Sequence, residues 1–378
     1  MIARLQMSDL HLGDPRSVLS NPTVAASAVR QLASLSGGEV GKLVLAGDAV
    51  EECVPGDMAE MCEGLALSVH EAASNFFGAL FREVKVDEVV WIPGNHDLSV
   101  WKWFADMTGG ISAVTSYEGR PADASTWPWK LFLPGFAGKL TVAYPLYWDR
   151  SVGSDYPMLV TTHGHLLDPL VLGWESSAKY EFLSALGCKR PAVATESEKV
   201  GSLRAVAETT LDFILHMWRR YSPRDFTYAN YVMRRLEHPQ ACAWQPAFPV
   251  DGYYQMDASM LSADAPPAGQ GYQINLPWLL DVLVMDPYLP TPVGSLRQGE
   301  PHPAFERPSC VTFGHDHLGT FKTLVACGVP FACVDSGGWT SEWQGHLPHS
   351  HVLVWEHAED VVPRSYFVRV RTSDGKIL

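Results

Sequence analysis

Val89-Val90-Trp91-Ile92-Pro93-Gly94-Asn95-His96-Asp97 is the stretch on which the fold reading turns. An apolar, largely β-branched run that ends in Gly-Asn-His-Asp reads as a buried strand stopping at a tight turn. The turn presents an amide, an imidazole and a carboxylate together. Four other clusters stand likewise at the ends of apolar runs: Asp9-Leu10-His11, Gly47-Asp48, Thr162-His163-Gly164-His165 and Gly314-His315-Asp316-His317. All five offer side chains that bind divalent metals.

Outward from that stretch, Ile2 to Ser8 and Lys42 to Ala46 read as two further strands. Between them Thr23 to Leu35 has helical spacing, with Asn21-Pro22 as a start signal and Gly37-Gly38 as a stop. A long helix is expected within Met58 to Val84. Strand and helix in alternation predict a layered α/β core with ligand groups at strand ends. From Leu98 to Gly138 the pattern weakens, and Trp101, Trp103, Trp127 and Trp129 read as large aromatics packed at a domain border. Leu140 to Tyr147 and Met158 to Thr162 form two more expected strands, the second running into His163.

The character changes between 166 and 308. Trp174 to Leu186, Leu203 to Tyr221, Tyr228 to Leu236 and Leu276 to Val284 have helical spacing, and the segment from Ala243 onward is rich in Pro, Gly and aromatics. This is too long for a plain loop, so a largely helical lid or subdomain is expected as an insertion. The core resumes with Ser309 to Phe313 and Phe331 to Val334, and closes with Val352 to Trp355 and Ser365 to Val370. The domain reading is therefore a core in two parts, 1–165 and 309–378, interrupted by 166–308.

The bulk numbers bound the function. A chain of 378 residues with 47% hydrophobic content is long enough for a sizeable core. A net charge of -14 argues against a nucleic-acid backbone as main partner. The seven cysteines, Cys53, Cys62, Cys188, Cys242, Cys310, Cys327 and Cys333, include no Cys-x-x-Cys pair, and an odd count does not fit a full disulfide framework. No signal-like N-terminus and no run near the ~18 apolar residues of a spanning helix is present, so a cytoplasmic location is expected.

A dimetal centre needs two cations roughly 3.5–4 Å apart, one bridging carboxylate and several further ligands. The clusters offer Asp9, His11, Asp48, Asn95, His163, His315 and His317. Asp-x-His and His-x-His spacing sets alternate side chains on one side of an extended segment, so both can face one centre. The late histidines His346, His349 and His351 read as loop residues or substrate contacts.

In this order, Asp9-x-His11, Gly47-Asp48, Gly94-Asn95-His96-Asp97, His163-Gly164-His165 and Gly314-His315-x-His317 resemble the calcineurin-like metallophosphoesterase superfamily. The resemblance covers the core but not the insertion. It implies a four-layer αββα sandwich of two mixed β-sheets and two divalent cations, manganese foremost, with iron or zinc as alternatives. Carried over by position, Asp9, His11, Asp48 and His317 would hold one cation. Asp48, Asn95, His163 and His315 would hold the other, with Asp48 as the bridge. His163 is preferred to His165 as the ligand because it comes first after the strand, and His165 is assigned to substrate along with Asn95 and His96. The implied reaction is in-line attack of a metal-bridging hydroxide on phosphorus. His96 resembles the general acid for the leaving oxygen. A carboxylate would orient His96 and favour its protonated form; Glu51 matches the family position for it better than Asp97.

Within the superfamily, Glu51-Glu52 stands where the protein serine/threonine phosphatases carry Asp-Arg, and Asp97 replaces their Glu. The absent arginine fork argues against that branch. Ser8-Asp9-Leu10-His11-Leu12-Gly13, Gly47-Asp48-x-x-Glu51 and Gly337-Gly338-Trp339 are similar to the UDP-2,3-diacylglucosamine diphosphatases, which typically carry Arg where His96 stands. Thr161-Thr162-His163-Gly164-His165 resembles small bacterial phosphodiesterases. The expected function is a phosphoesterase acting on a small-molecule, nucleotide-like or lipid-linked phosphomonoester, phosphodiester or diphosphate. A nuclease of the same superfamily and a non-catalytic metal-binding scaffold are the rival expectations.

Overall fold

The structure, a computed structural model, describes residues 1–14, 17–51, 69–97, 100, 104, 107–108, 116–126, 129–144, 146–150, 157–165, 250–259, 309–315, 317, 319, 321–326, 329–340, 351–360 and 362–372. The chain is α/β, with two mixed β-sheets and few helices among these residues.

The strands of the larger sheet are β1 (Ile2–Met7), β2 (Glu39–Ala46), β3 (Lys85–Ile92), β4 (Ser116–Ala122), β5 (Lys139–Tyr144), β8 (Val250–Ser259), β12 (His351–Trp355) and β13 (Arg364–Thr372). Those of the smaller are β6 (Leu146–Arg150), β7 (Pro157–Thr162), β9 (Ser309–Phe313), β10 (Phe321–Ala326) and β11 (Val329–Asp335). The eight-stranded order is β4-β5-β3-β2-β1-β12-β13-β8, and the five-stranded order is β10-β11-β9-β7-β6. Strands β1, β2, β3 and β5 pair in parallel, as do β7, β9 and β11. Parallel pairing aligns their C-terminal ends, so every motif found at a strand end emerges along one edge.

Alternation decides what each face meets. Leu43, Leu45, Val89 and Trp91 join the helix Pro22–Ser36 (α1) and Phe76 and Phe77 in the main core. Their neighbours Val44, Val90 and Ile92 gather instead with Ala143 and Tyr147. Arg4 of β1 reaches Asp149 of β6 and Thr161 of β7, so the second face of the larger sheet lies against the smaller one. Burial on both faces explains why β2 and β3 end in continuous apolar runs, Leu43 to Ala46 and Val89 to Ile92. Helix α1 begins as expected: Asn21 Oδ1 accepts from the Thr23 and Val24 N–H groups, and Pro22 occupies the first turn. Gly37 closes it in the left-handed conformation at φ 62°.

Three elements differ from expectation. The single strand expected over Leu140 to Tyr147 is two, β5 in one sheet and β6 in the other. Pro145 stands at the division, and proline has no N–H to continue a ladder. Within the expected lid, Val250–Ser259 is a strand that extends the core sheet by pairing with β13. His351, expected in a loop, is buried in β12 and bonded through Nδ1 to Ser365 Oγ at 2.8 Å. The part of the long helix that is described includes a π-turn at Ser74–Gly78 ahead of the helix Ala79–Glu83. Trp101, Trp103, Trp127, His346, His349 and the four helices expected between 174 and 284 lie outside the described residues; Trp129 is buried against Trp91 and Phe104. No helix among the described residues is long and apolar enough to cross a membrane.

Candidate metal centre

Backbone pairing carries the strand ends into the site. Past β1 and β2, the Asp9 N–H donates to Gly47 O at 3.0 Å and the His11 N–H to Asp48 O at 2.8 Å. On the other sheet, the Gly314 N–H donates to His163 O at 2.9 Å. The sheets meet where the His315 N–H reaches both Asp9 carboxylate oxygens at 3.1 Å.

Seven side chains named from the sequence converge here. His163 Nε2 lies 3.2 Å from Asp48 Oδ2 and 3.0 Å from Asn95 Oδ1. His11 Nε2 lies 3.7 Å from the same Asp48 oxygen and 3.4 Å from His317 Nε2. His317 Nε2 is 3.1 Å from Asp9 Oδ1, and the His315 ring centroid is 5.1 Å from that of His163. Asp48 Oδ2 thus faces an imidazole from each of the two expected ligand sets.

The backbone at these positions is unusual. Among the described residues, the non-glycine residues with positive φ are Asp9 (52°), His11 (45°), Asp48 (49°), His315 (75°) and His317 (60°). Each such residue costs on the order of 1 kcal/mol and persists only where surrounding structure enforces it, typically at functional sites. Close approach adds a second constraint. A Cβ on Gly94 would fall on the Asp48 carboxylate, and one on Gly314 on the Asp9 carboxylate. The glycines of the motifs are there because a ligand from another motif fills the space.

The imidazoles are held from behind. His11 Nδ1 donates to Glu51 Oε2 at 2.5 Å, and His163 Nδ1 donates to Ala46 O at 3.0 Å. His317 Nδ1 is bonded to Thr340 Oγ1 at 3.1 Å. In each ring this leaves Nε2 directed into the cluster, the arrangement by which an outer partner fixes the tautomer of a metal-ligating histidine.

Charge follows the geometry. Burial opposes protonation of His163, but the Asp48 and Asp9 carboxylates outweigh it and raise its pKa to about 9. Burial likewise resists ionisation of Asp48, yet His163 and His96 hold its carboxyl well below the usual range. Buried carboxylates set among imidazole Nε2 atoms are a donor set suited to divalent metal ions. His165 supplies an independent sign: it is buried, and neither ring nitrogen has a hydrogen-bond partner among the described residues. Burial, with His163 and His315 alongside, holds its pKa well below the ordinary value, so it stays neutral. An orphaned neutral imidazole beside two ligand rings fits a cation centre. The donor groups therefore suit metal ions, and several of these buried His and Asp clusters can hold one.

The other named residues divide clearly. His96 Nδ1 donates to Glu51 Oε1 at 2.6 Å, and its side chain is 25% exposed. Glu51 therefore anchors His11 with one oxygen and His96 with the other. Asp97 accepts from the Ala49 and Gly94 N–H groups and the Trp91 indole, tying the Asp48 and His96 loops together, while the carboxylate on His96 Nδ1 is that of Glu51. Burial, reinforced by the Asp48 charge, pushes its carboxyl up to about 7. His165, assigned to substrate from the sequence, is only 2% exposed, with its ring 5.3 Å from His163.

Sequence reasoning missed Asp14 and Asp335. Asp14 is buried, its carboxylate within 4.8 Å of His11 and Glu51 ligand atoms. Asp335 accepts from the Gly319 N–H at 2.9 Å and the Gly337 N–H at 2.8 Å, joining the His317 turn to the Gly337-Gly338 loop. An Asp closing an apolar strand before Ser-Gly-Gly was the available signal. No protein-family model matches the chain, and no curated protein matches it either.

Proposed function

We propose that the protein is a dimetal-dependent phosphoesterase of the calcineurin-like superfamily, hydrolysing a phosphomonoester, phosphodiester or diphosphate bond. The observation that carries this reading is the convergence of seven ligand-type side chains, five of them on left-handed backbone, beside a partly exposed histidine anchored by Glu51. On this reading Asp9, His11, Asp48 and His317 hold one cation, and Asp48, Asn95, His163 and His315 the other. When bound, the pair supplies Lewis acidity, which lowers the pKa of water and neutralises phosphoryl oxygens.

The chain's own groups do the rest. Asp48, with Oδ2 toward both His11 and His163, sets the spacing of the two halves. Asp9 holds the His315 N–H and His317 in place across the sheets. His96, its Nδ1–H fixed on Glu51, offers Nε2 to the leaving oxygen and gives up its proton there. Asp97 keeps the Asp48 and His96 loops in contact by accepting from the Ala49, Gly94 and Trp91 N–H groups. The two sheets and the α1 layer agree with three layers of an αββα sandwich.

Turnover of p-nitrophenyl phosphate and bis-p-nitrophenyl phosphate with added manganese tests the proposal. Hydrolysis of either, lost in EDTA and in Asp48→Ala, is the expected result. A folded protein that takes up manganese and remains inert on monoester, diester and diphosphate substrates would overturn the catalytic reading and leave a scaffold.

A further inference from the structure

The layer between the sheets is not uniformly apolar. Directly below the metal centre, Gln6 Oε1 accepts from Arg4 Nη2 at 3.0 Å, Thr312 Oγ1 at 2.9 Å and Thr161 Oγ1 at 3.4 Å. The two threonine hydroxyls are 2.8 Å apart, and Arg4 Nη2 also donates to Thr161. Arg4 is anchored on Asp149 at 3.2 Å and lies 4.7 Å from the Trp355 ring centroid. All four members of the network, Arg4, Gln6, Thr161 and Thr312, are buried. The Arg4 guanidinium can only donate, so the Gln6 atom facing it is the amide oxygen rather than the NH2 end.

Position gives this network its meaning. Gln6 is three residues before Asp9 on β1, Thr161 two before His163 on β7, and Thr312 three before His315 on β9. One carbonyl oxygen therefore joins the three strands whose ends bring Asp9, His163 and His315 together. β1 belongs to the larger sheet, and β7 and β9 to the smaller. The neighbouring contacts of Val44, Val90 and Ile92 with Tyr147 are apolar and non-directional, and the other polar tie, Lys42 to Tyr147 and Asp149, touches neither β7 nor β9. Hydrogen bonds have a narrow range of distance and angle, so they fix how far one sheet slides over the other.

We propose that Gln6 is a positioning residue for the metal centre, setting the spacing of Asp9 against His163 and His315 without touching a ligand. The inference rests on the dimetal reading above and adds to it what holds the two half-sites at their mutual distance. Gln6→Met removes the acceptor at similar volume, Thr312→Val removes one donor, and Gln6→Glu keeps an acceptor facing Arg4 and both hydroxyls.

Manganese binding by calorimetry, read beside the denaturant midpoint of the EDTA-treated protein, tests it. Gln6→Met is expected to weaken manganese binding about ten-fold, the low end for groups behind a ligand shell. Thr312→Val should weaken it less, and Gln6→Glu should restore wild-type affinity. Loss of affinity by more than any change in midpoint separates positioning from general support. Wild-type affinity in both Gln6→Met and Thr312→Val overturns the proposal; should Gln6→Met fail to fold, Thr312→Val alone decides in the same way. A wild-type chain that binds no manganese overturns the dimetal reading itself, and this inference with it.

Discussion

The two sheets contribute different chemistry to the edge where they meet. Loops of the eight-stranded sheet bring both candidate ligand carboxylates, Asp9 and Asp48, the Asn95 amide, His11, and the Glu51–His96 pair. Loops of the five-stranded sheet bring the imidazoles His163, His165, His315 and His317. The ion pairs across the divide join Asp48 with His163 at 3.2 Å and Asp9 with His317 at 3.1 Å. Neither sheet alone has a balanced donor set. Packing the sheets together is what makes the centre, so the acidic side should be indispensable and the basic side should answer to pH.

The largest effect should follow from removing the acidic side's shared member. Asp48→Ala is expected to lower turnover by at least about 1000-fold, the scale seen when a charge-stabilising group is lost from a reacting centre. Steady-state kinetics at saturating manganese would break the comparison if the loss were small. Glu51→Gln should come next, with kcat falling about 100-fold, because His96 would lose its charged anchor while the ligand set stayed intact. A larger effect on manganese affinity than on kcat would move the role of Glu51 from His96 to His11.

Gly314→Ala probes the fit between the sheets. Its Cβ would meet Asp9 and Ser8, and overpacking of this kind costs about 1–3 kcal/mol. Chemical denaturation should show that loss even without metal. The smallest effect is electrostatic. In the metal-free protein His163 titrates at about 9 against 6.5 in the unfolded chain. A raised histidine pKa contributes stability that is complete below pH 6.5 and disappears as pH rises through 9. Denaturation midpoints of EDTA-treated protein should therefore fall across that window, and His163→Asn should flatten the fall. A midpoint equally steep in both proteins would mean that the imidazole does not carry the dependence.

Much of the centre was legible in the chain because its motifs are local. Each ligand sits within a few residues of an apolar strand end, and parallel pairing forces such ends to one edge. Helix α1 was legible for a similar reason, since Asn21, Pro22 and Gly37 act on their own backbone. Long-range features were not. Pro145 marks a break, but nothing in the run around it shows that β5 and β6 join different sheets, and β8 extends the larger sheet by pairing with β13, far off in sequence. Glu51 could be matched to His96, but that it also grips His11 depends on two loops meeting in space. Gln6 carried no signal, because a lone glutamine in a strand means nothing until its partners on β7 and β9 are known.

By itself, the sequence determined which donor atoms exist, that they stand at strand ends, and that glycine flanks them. Those properties follow from residue chemistry and short-range backbone geometry. Tertiary structure alone decided that Asp9 and His317 face each other, that Asp48 meets both His11 and His163, and that His165 is enclosed. Those depend on one sheet settling over another at a fixed offset, and an offset between sheets is a property of packed side chains rather than of any segment read alone.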